Sequence, residues 1–499
     1  MSETLKGASE TTPTPIKATG EITLKKDAIG MSEVLFQSIT AMAPAAAVAT
    51  ALSPVIPFAG ASLPLAIVLA TISCAFIAAC IGQLAIHIPS AGGMYTYISR
   101  SLGAKLGFLS AWTFLLAQPL LLPLVALVWG PYAADIFHTL TGINTPWYLW
   151  AILGNLILFA LTYRGIKLSA DTSVILGAIE ITIIVALSLT MIVTSGHNDL
   201  ATFTPKYSAE PGLGGWVGIF QGMVFAFLAF VGFETAAPLG EETANPKRNI
   251  PRAVVYSAIA IGLLYILASY AGVNGWGIAK IQGYPASAAP WADLGKKFWG
   301  NVGPVIISFA ILNSALGNGN AGINATSRVA YAMGRIGTLP RVFARLSSHQ
   351  TPVVGIIVHT VMSIVVSVGC ALLLGGVQNA FNLIGAVLTV GLLLLYFASC
   401  VSAFVFYLRE RRQDFHIWQH VIVPLIPLIV LCFVFAAQVY PIPPYPLNLT
   451  IPIVVVWILL GVGYLIYLMR TNPVALENGK EVFLKDLEPE PTGLISGLL

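Results

Sequence analysis

The sequence predicts an all-α membrane protein of twelve transmembrane helices. Of its 499 residues, 57% are hydrophobic and only 9% are charged, where a soluble protein carries about 25% charged residues. Hydrophobic runs of about 20 residues, enough to cross a bilayer, recur from residue 34 to residue 469. The charges sort by side. Of the 25 Lys and Arg, all but Lys206, Lys280, Lys296 and Lys297 fall on the side that holds both termini when twelve spans are counted. That bias predicts cytoplasmic termini in a multi-pass protein of the cell membrane, and one missed helix would scramble it.

The expected organisation is a polar tail over 1–30, one transmembrane domain over 31–470, and a polar tail over 471–499. The first apolar run follows about 30 polar residues, so no cleavable secretory signal is expected. The twelve spans are 34–57, 61–87, 106–136, 147–162, 168–193, 216–240, 253–274, 302–333, 353–374, 381–407, 421–438 and 449–469. Cys74, Cys80, Cys370, Cys400 and Cys432 all lie in apolar runs and read as small core residues.

Span 1 carries Pro44 about 11 residues in, roughly 16 Å along a helix and so near mid-bilayer. Proline removes a backbone donor, and Met42, Ala43 and Ala45 beside it leave the backbone nearly bare. Two readings fit. The helix breaks, and the amides after Pro44 form a helix N-terminus that holds an anion. Alternatively, Pro44 kinks a packing helix with small residues at a tight crossing.

Span 2 ends in Pro89-Ser90-Ala91-Gly92-Gly93, a turn signal. Span 3 carries Gln118 between Ala117 and Pro119, placed either to touch a substrate or to bridge two helices. Glu180 stands about 12 residues into span 5, near mid-bilayer. No Lys or Arg falls well inside a span to partner it. It reads either as a carboxyl that keeps its proton until water reaches it, and so carries one, or as a neutral glutamic acid bonded between helices.

Span 6 organises the chain. From Val224 it runs as an apolar helix, then meets Gly232 and Glu234, where lipid tolerates no charge, and ends in Glu241, Glu242, Lys247, Arg248 and Arg252. Glycine weakens a helix and lets backbone approach a ligand, so span 6 reads as a second broken helix lining a site. In span 8, Asn313, Asn318, Asn320 and Asn324, with Ser308 and Ser314, are unusual in lipid, and Asn313, Asn320 and Asn324, spaced by seven and four, share a face that lines a cavity or bonds packed helices. His359 in span 9 reads as a satisfied core histidine, and Tyr396 in span 10 as aromatic packing or a cavity wall.

The sequence has no G-x-x-x-x-G-K-[ST] phosphate loop, H-E-x-x-H motif, Cys/His cluster or readable Ser/His/Asp set, which argues against an ATP-driven pump, a zinc site and an enzyme. Midplane polar groups on interrupted helices are the layout of a secondary transporter. Spans 1 and 6 lie five spans apart, as a five-plus-five inverted repeat with two further C-terminal helices requires.

Three stretches carry a family resemblance. The first is Pro89 through Tyr97 with Gly107-Phe108-Leu109 and Trp112. The second is Phe230-Val231-Gly232-Phe233-Glu234 with Glu241-Glu242 and Asn245 through Ala253. The third is Ser327-Arg328, Tyr331-Ala332, Arg335-Ile336-Gly337, Leu339-Pro340 and Thr351-Pro352. In this order they resemble the amino acid–polyamine–organocation (APC) superfamily of permeases, over roughly residues 30–410. The resemblance implies a leucine-transporter-like fold and an amino acid or small amine as substrate. It puts the substrate carboxylate on the span 1 amides and its ammonium on carbonyls of both breaks. By position the site residues are Met42, Ala43, Pro44 and Ala45 in span 1, and Phe230, Val231, Gly232 and Phe233 in span 6. Many relatives have a Gly-Ser-Gly-like triplet where Ala43-Pro44-Ala45 stands here, which removes one amide and one hydroxyl. Some relatives place a lysine in span 5 where others hold sodium. Glu180 stands in that neighbourhood with the opposite charge, which implies a proton, in preference to sodium, as the coupling ion.

The expected function is therefore proton-coupled import by alternating access, with no cofactor and no nucleic-acid partner. Glu180 carries the proton, Gln118 and Asn318 join the two breaks around the substrate, and Glu234 supports the cytoplasmic gate as a second proton-coupling group. An exchanger whose flux needs internal substrate and ignores pH is the alternative within transport. A channel or a non-transporting sensor is the alternative outside it.

Overall fold

The computed structural model describes residues 24–196, 198–287 and 289–478, and its long apolar helices among these number twelve with the shorter α4 included. They are α1 (Met31–Ala51, interrupted), α2 (Leu63–His87), α3 (Ala104–Thr141), α4 (Trp147–Tyr163), α5 (Ile166–Thr194) and α6 (Trp216–Phe230). Then follow α7 (Pro246–Trp276), α8 (Gly303–Ile336), α9 (Val353–Leu373), α10 (Val377–Arg409), α11 (Val423–Val439) and α12 (Thr450–Thr471). Eleven are long and apolar enough to span on those criteria; α4, with 17 residues, is at the short end of the spanning range. Among the described residues there is no β-strand, only an isolated bridge between Ile29 and Thr243.

The outer surface is as apolar as the core. Leu153 and Ile157 of α4, Val361 and Val365 of α9, and Leu459 and Leu460 of α12 are all exposed. Only hydrocarbon covers such a belt without cost. The protein is a multi-pass membrane protein.

Two boundaries differ from expectation for local reasons. Helix α7 begins at Pro246, seven residues earlier than the apolar run, because Asn245 adopts a left-handed conformation (φ 49°) and Pro246 follows as first helical residue. Proline there has φ preset and lacks only a donor that would be orphaned anyway. Lys247, Arg248 and Arg252 thus ride on helix rather than loop. The connection before α8 holds an unforeseen helix, Pro290–Trp299, whose charged side hid it among loop residues.

The tail expected over 1–30 is not wholly apart from the domain. Leu24 and Ile29 are buried. Ala28 N–H donates to the Glu242 carbonyl at 2.9 Å, and Ala244 N–H to that of Ile29 at 2.9 Å. Residues 1–23 and 479–499, the rest of the two expected tails, lie outside the described residues.

The first half of α1 is enclosed by α5, α7 and α8, and α2 packs along α7 and α6. Interruptions occur in α1 and directly after α6, five spans apart. These positions bring two pieces of unpaired backbone into the centre of the bundle.

Candidate functional site

The first break is set by Pro44. A residue before proline is disfavoured in the right-handed helical region. Ala43 takes the left-handed one, φ 49° and ψ 61°, and a new helix starts at Pro44. For a residue with a Cβ this costs about 1–2 kcal/mol. Of the two readings open for span 1, the broken helix is the one observed.

Its amides are already occupied. Met42 N–H donates to Ile39 O (3.1 Å) and Ala43 N–H to Thr40 O (3.0 Å), while Pro44 has none. Ala45 N–H donates to Glu180 Oε2 at 3.3 Å, and Ala46 N–H to Ser314 Oγ at 3.1 Å. Ala47 N–H returns to Ala43 O at 2.7 Å. The group that meets this helix start in the structure is the protein's own Glu180 carboxyl, from α5.

The second break is set by glycine. Helix α6 ends at Phe230, Val231 turns extended (ψ 123°), and Gly232 has φ 128°, a region where side chains are strained. A 3-10 helix, Phe233–Leu239, follows. Gly232 also lies on the first break: a Cβ there would stand 2.4 Å from the Ala41 carbonyl carbon. The two breaks are therefore in backbone contact.

Side chains suture them. Ser38 Oγ donates to Phe233 O (2.8 Å), and Asn318 Nδ2 to Ala41 O (2.7 Å). Tyr265 Oη, from α7, reaches both Met42 O and Ala229 O, the latter at 2.9 Å. Phe230 meets the Tyr265 ring edge-on at 5.2 Å between centroids. Glu234 Oε2 accepts from Gly232 N–H (3.0 Å) and from Tyr396 Oη (2.8 Å), and Phe233 packs on the Tyr396 ring. Met42, Ala43, Pro44, Ala45, Phe230, Val231, Gly232, Phe233, Asn318, Glu180 and Glu234 thus form one buried centre. Gln118 is apart: it sits on the 3-10 turn that interrupts α3, fully buried, and no hydrogen bond joins it to either break.

The asparagine face of α8 divides its work. Asn318 serves the break. Asn313 bonds Leu176 O (2.8 Å) and Asn320 bonds Ser173 Oγ (3.1 Å), tying α8 to α5. Asn324 accepts from Arg328. His359 is buried and bonds Pro119 O through Nε2 at 2.9 Å, but its Nδ1 has no partner, so the core histidine expected is only half satisfied.

Below the second break a narrow cleft is lined by Glu234, Thr235, Pro238, Met94 and Phe114. It is closed by charge. Arg328 forms a buried, two-pronged pair with Glu242, Nη2 to Oε1 at 3.1 Å. Arg335 pairs with Glu241 at 2.6 Å, and Glu241 Oε1 also accepts from Ala91 N–H at 3.3 Å. Arg328, expected as a loop charge, is therefore inside the bundle, because Glu242 turns inward to meet it. Tyr265 and Ser38 were not singled out by sequence. Each is one polar atom on an apolar or small-residue helix, and only the facing break distinguishes it.

A family profile described as amino acid permease matches residues 29–464. The chain belongs to the amino acid permease family. The match confirms the APC resemblance and places the permease among transporters rather than enzymes. A branched-chain amino acid permease of Lactococcus lactis subsp. cremoris (strain MG1363) is 26% identical over 62% of this chain and 68% of its own length. A methylthioribose transporter of Bacillus subtilis (strain 168) is 27% identical over 84% and 88%. A low-affinity putrescine importer of Escherichia coli (strain K12) is 27% identical over 56% and 61%. A crystal structure of an Eremococcus coleocola manganese transporter mutant shares the fold, with TM-score 0.57 and 15% identity, over 89% of this chain and 95% of that one.

One substitution tests the suture. In the permease, Tyr265→Phe removes the hydroxyl that joins Met42 to Ala229 and leaves buried carbonyls unserved, a loss of about 1–3 kcal/mol. Reduced thermal stability in detergent, with uptake down at least fivefold, is the expected result; parent-like behaviour in both would show that the bridge is idle.

Proposed function

We propose that the permease imports amino acids or related small amines by alternating access, with the two breaks as the substrate site and a proton as the coupling ion. The observation that carries this reading is the backbone contact between the breaks at Gly232 and Ala41, deep in the bundle and ringed by buried polar groups. Irregular backbone at membrane depth is tolerated where it lines a protein interior or a cavity, and transporters use it to hold solutes. The printed names of relatives, amino acid and putrescine carriers among them, support the same classes.

Glu180 is the proposed proton carrier. It is fully buried, its carboxyl accepts from Ala45 N–H at 3.3 Å, and none of the ion pairs described includes it. A carboxyl so placed exchanges a proton when water reaches it. Glu234, bonded to Gly232 and Tyr396, is the proposed second coupling group, a little over two turns before the charged pairs at Glu241 and Glu242 that we assign to the cytoplasmic gate. The chain then sits in the cell membrane with both termini inside.

The test is uptake into proteoliposomes under an imposed pH gradient. Glu180→Gln keeps the shape and an acceptor for Ala45 N–H but cannot exchange a proton. Its uptake is expected to ignore the gradient while substrate binding stays within about threefold of the parent. Uptake by the variant that still follows imposed pH rules out Glu180 as carrier.

A further inference from the structure

We infer that Glu180 sets the substrate class: the site takes a cationic amine that lacks an α-carboxylate. This rests on the breaks being the substrate site, as proposed above, and narrows what they hold.

The first observation is that the helix start after Pro44 has no amide to offer. The N–H groups of Met42, Ala43, Ala45, Ala46 and Ala47 are all bonded within the protein. Half-helix N-termini hold anionic groups because several amides and the helix dipole converge there. Here Glu180 supplies that anion from α5, and Ser314 takes the next amide from α8. A solute carboxylate would have to displace a tethered one, against like charge. At the second break, Gly232 N–H is taken by Glu234 in the same way.

The second observation is the polarity of what is left over. Around the breaks, the buried atoms without a partner are Asn318 Oδ1 and Gln37 Oε1, which are acceptors, and Glu180 Oε1 and Glu234 Oε1, which are acceptors once their carboxyls have released the proton. Gln37 and Asn318 lie on one seam, since Gln37 bonds Ala321 O while Asn318 bonds Ala41 O. Tyr265 adds to the surplus, because its single proton serves only one of the two carbonyls it reaches. Gln118 Nε2 is the one unpartnered amide donor among the buried side chains described. Arg328, the one buried Arg or Lys among the described residues, is committed to Glu242 and Asn324. A buried unsatisfied acceptor costs about 1–3 kcal/mol. An ammonium, with its N–H donors and positive charge, relieves several at once. A carboxylate relieves none and adds more. A divalent metal fits poorly, since no group of three His, Cys, Asp or Glu occurs among the described residues.

The experiment compares matched pairs that differ only by the carboxyl group: leucine with 3-methylbutylamine, ornithine with putrescine, and lysine with cadaverine. Binding to the purified full chain is read by thermal stabilisation, and transport by uptake of the labelled compounds into proteoliposomes. The parent protein is expected to bind the amine of at least one pair tenfold or more tighter than its amino acid. Glu180→Ala vacates the seat, and the amino acid is then expected to gain at least tenfold relative to its amine. Tighter binding of the amino acids by the parent overturns the inference while leaving transport at the breaks standing. An unchanged ratio in Glu180→Ala removes Glu180 as the determinant. If that variant does not fold, the parent's ratio alone decides. Neither binding nor uptake of any member overturns this inference and the proposed substrate site together.

Discussion

Gly232→Leu is expected to abolish substrate binding and uptake. A β-carbon at this position would lie 2.4 Å from the carbonyl carbon and 2.5 Å from the carbonyl oxygen of Ala41, both backbone atoms that cannot swing aside. The φ of 128° adds strain whatever space is made. Overpacking in a tight interior costs about 1–3 kcal/mol, and forcing two backbones apart belongs at or above that range. The breaks would separate, and the sutures at Phe233 O and Ala41 O would lengthen with them. The readout is substrate-induced thermal stabilisation of the purified variant beside its uptake rate. Unchanged affinity in a folded Gly232→Leu protein would remove the contact between the breaks from the site. Gly232→Ala, with a smaller side chain but the same β-carbon, is expected to fail in the same direction.

Removing one partner of the Arg328–Glu242 pair is expected to produce the largest loss of stability. Both side chains are 1% exposed. Arg328→Met leaves an ionised or newly protonated carboxyl without its cation and also strips two bonds from Asn324. Breaking a buried pair in this way costs about 3–5 kcal/mol, whereas replacing both partners by apolar side chains of similar volume is often neutral. Arg328→Met and Glu242→Gln should each lower the temperature of half-aggregation in detergent by many degrees. Arg328→Met with Glu242→Met should recover most of the loss. Arg335 and Glu241, the more exposed pair, should show a much smaller effect, because solvent screens it. A single variant as heat-resistant as the parent would mean that Arg328 reaches water by another route.

Much of this arrangement was legible before any coordinates. Glu180 and Glu234 stood out because a carboxyl in a 20-residue apolar run has no solvent to justify it. Gly232 stood out for the same positional reason, and both lie at the breaks. What the pattern of residues left open was the partner of each group. Nothing near Glu180 in sequence says that its carboxylate reaches Ala45, 135 residues away. Tyr265 is one aromatic among many until Met42 and Ala229 are placed against it. Helical spacing sets Asn318 apart from Asn313 and Asn320, but only the packing shows that Asn318 faces α1 while Asn313 and Asn320 face α5.

Sequence alone determined that this chain is a bundle of twelve membrane helices, one interrupted at Gly232 and one broken or kinked at Pro44, because span length, apolarity and the backbone limits of proline and glycine are local properties. Tertiary structure alone decided what the breaks hold. The amides after Pro44 are unpaired by local rules, but their occupant comes from another helix. Whether that occupant is a solute's carboxylate or Glu180 depends on which side chain the fold carries to within hydrogen-bonding distance.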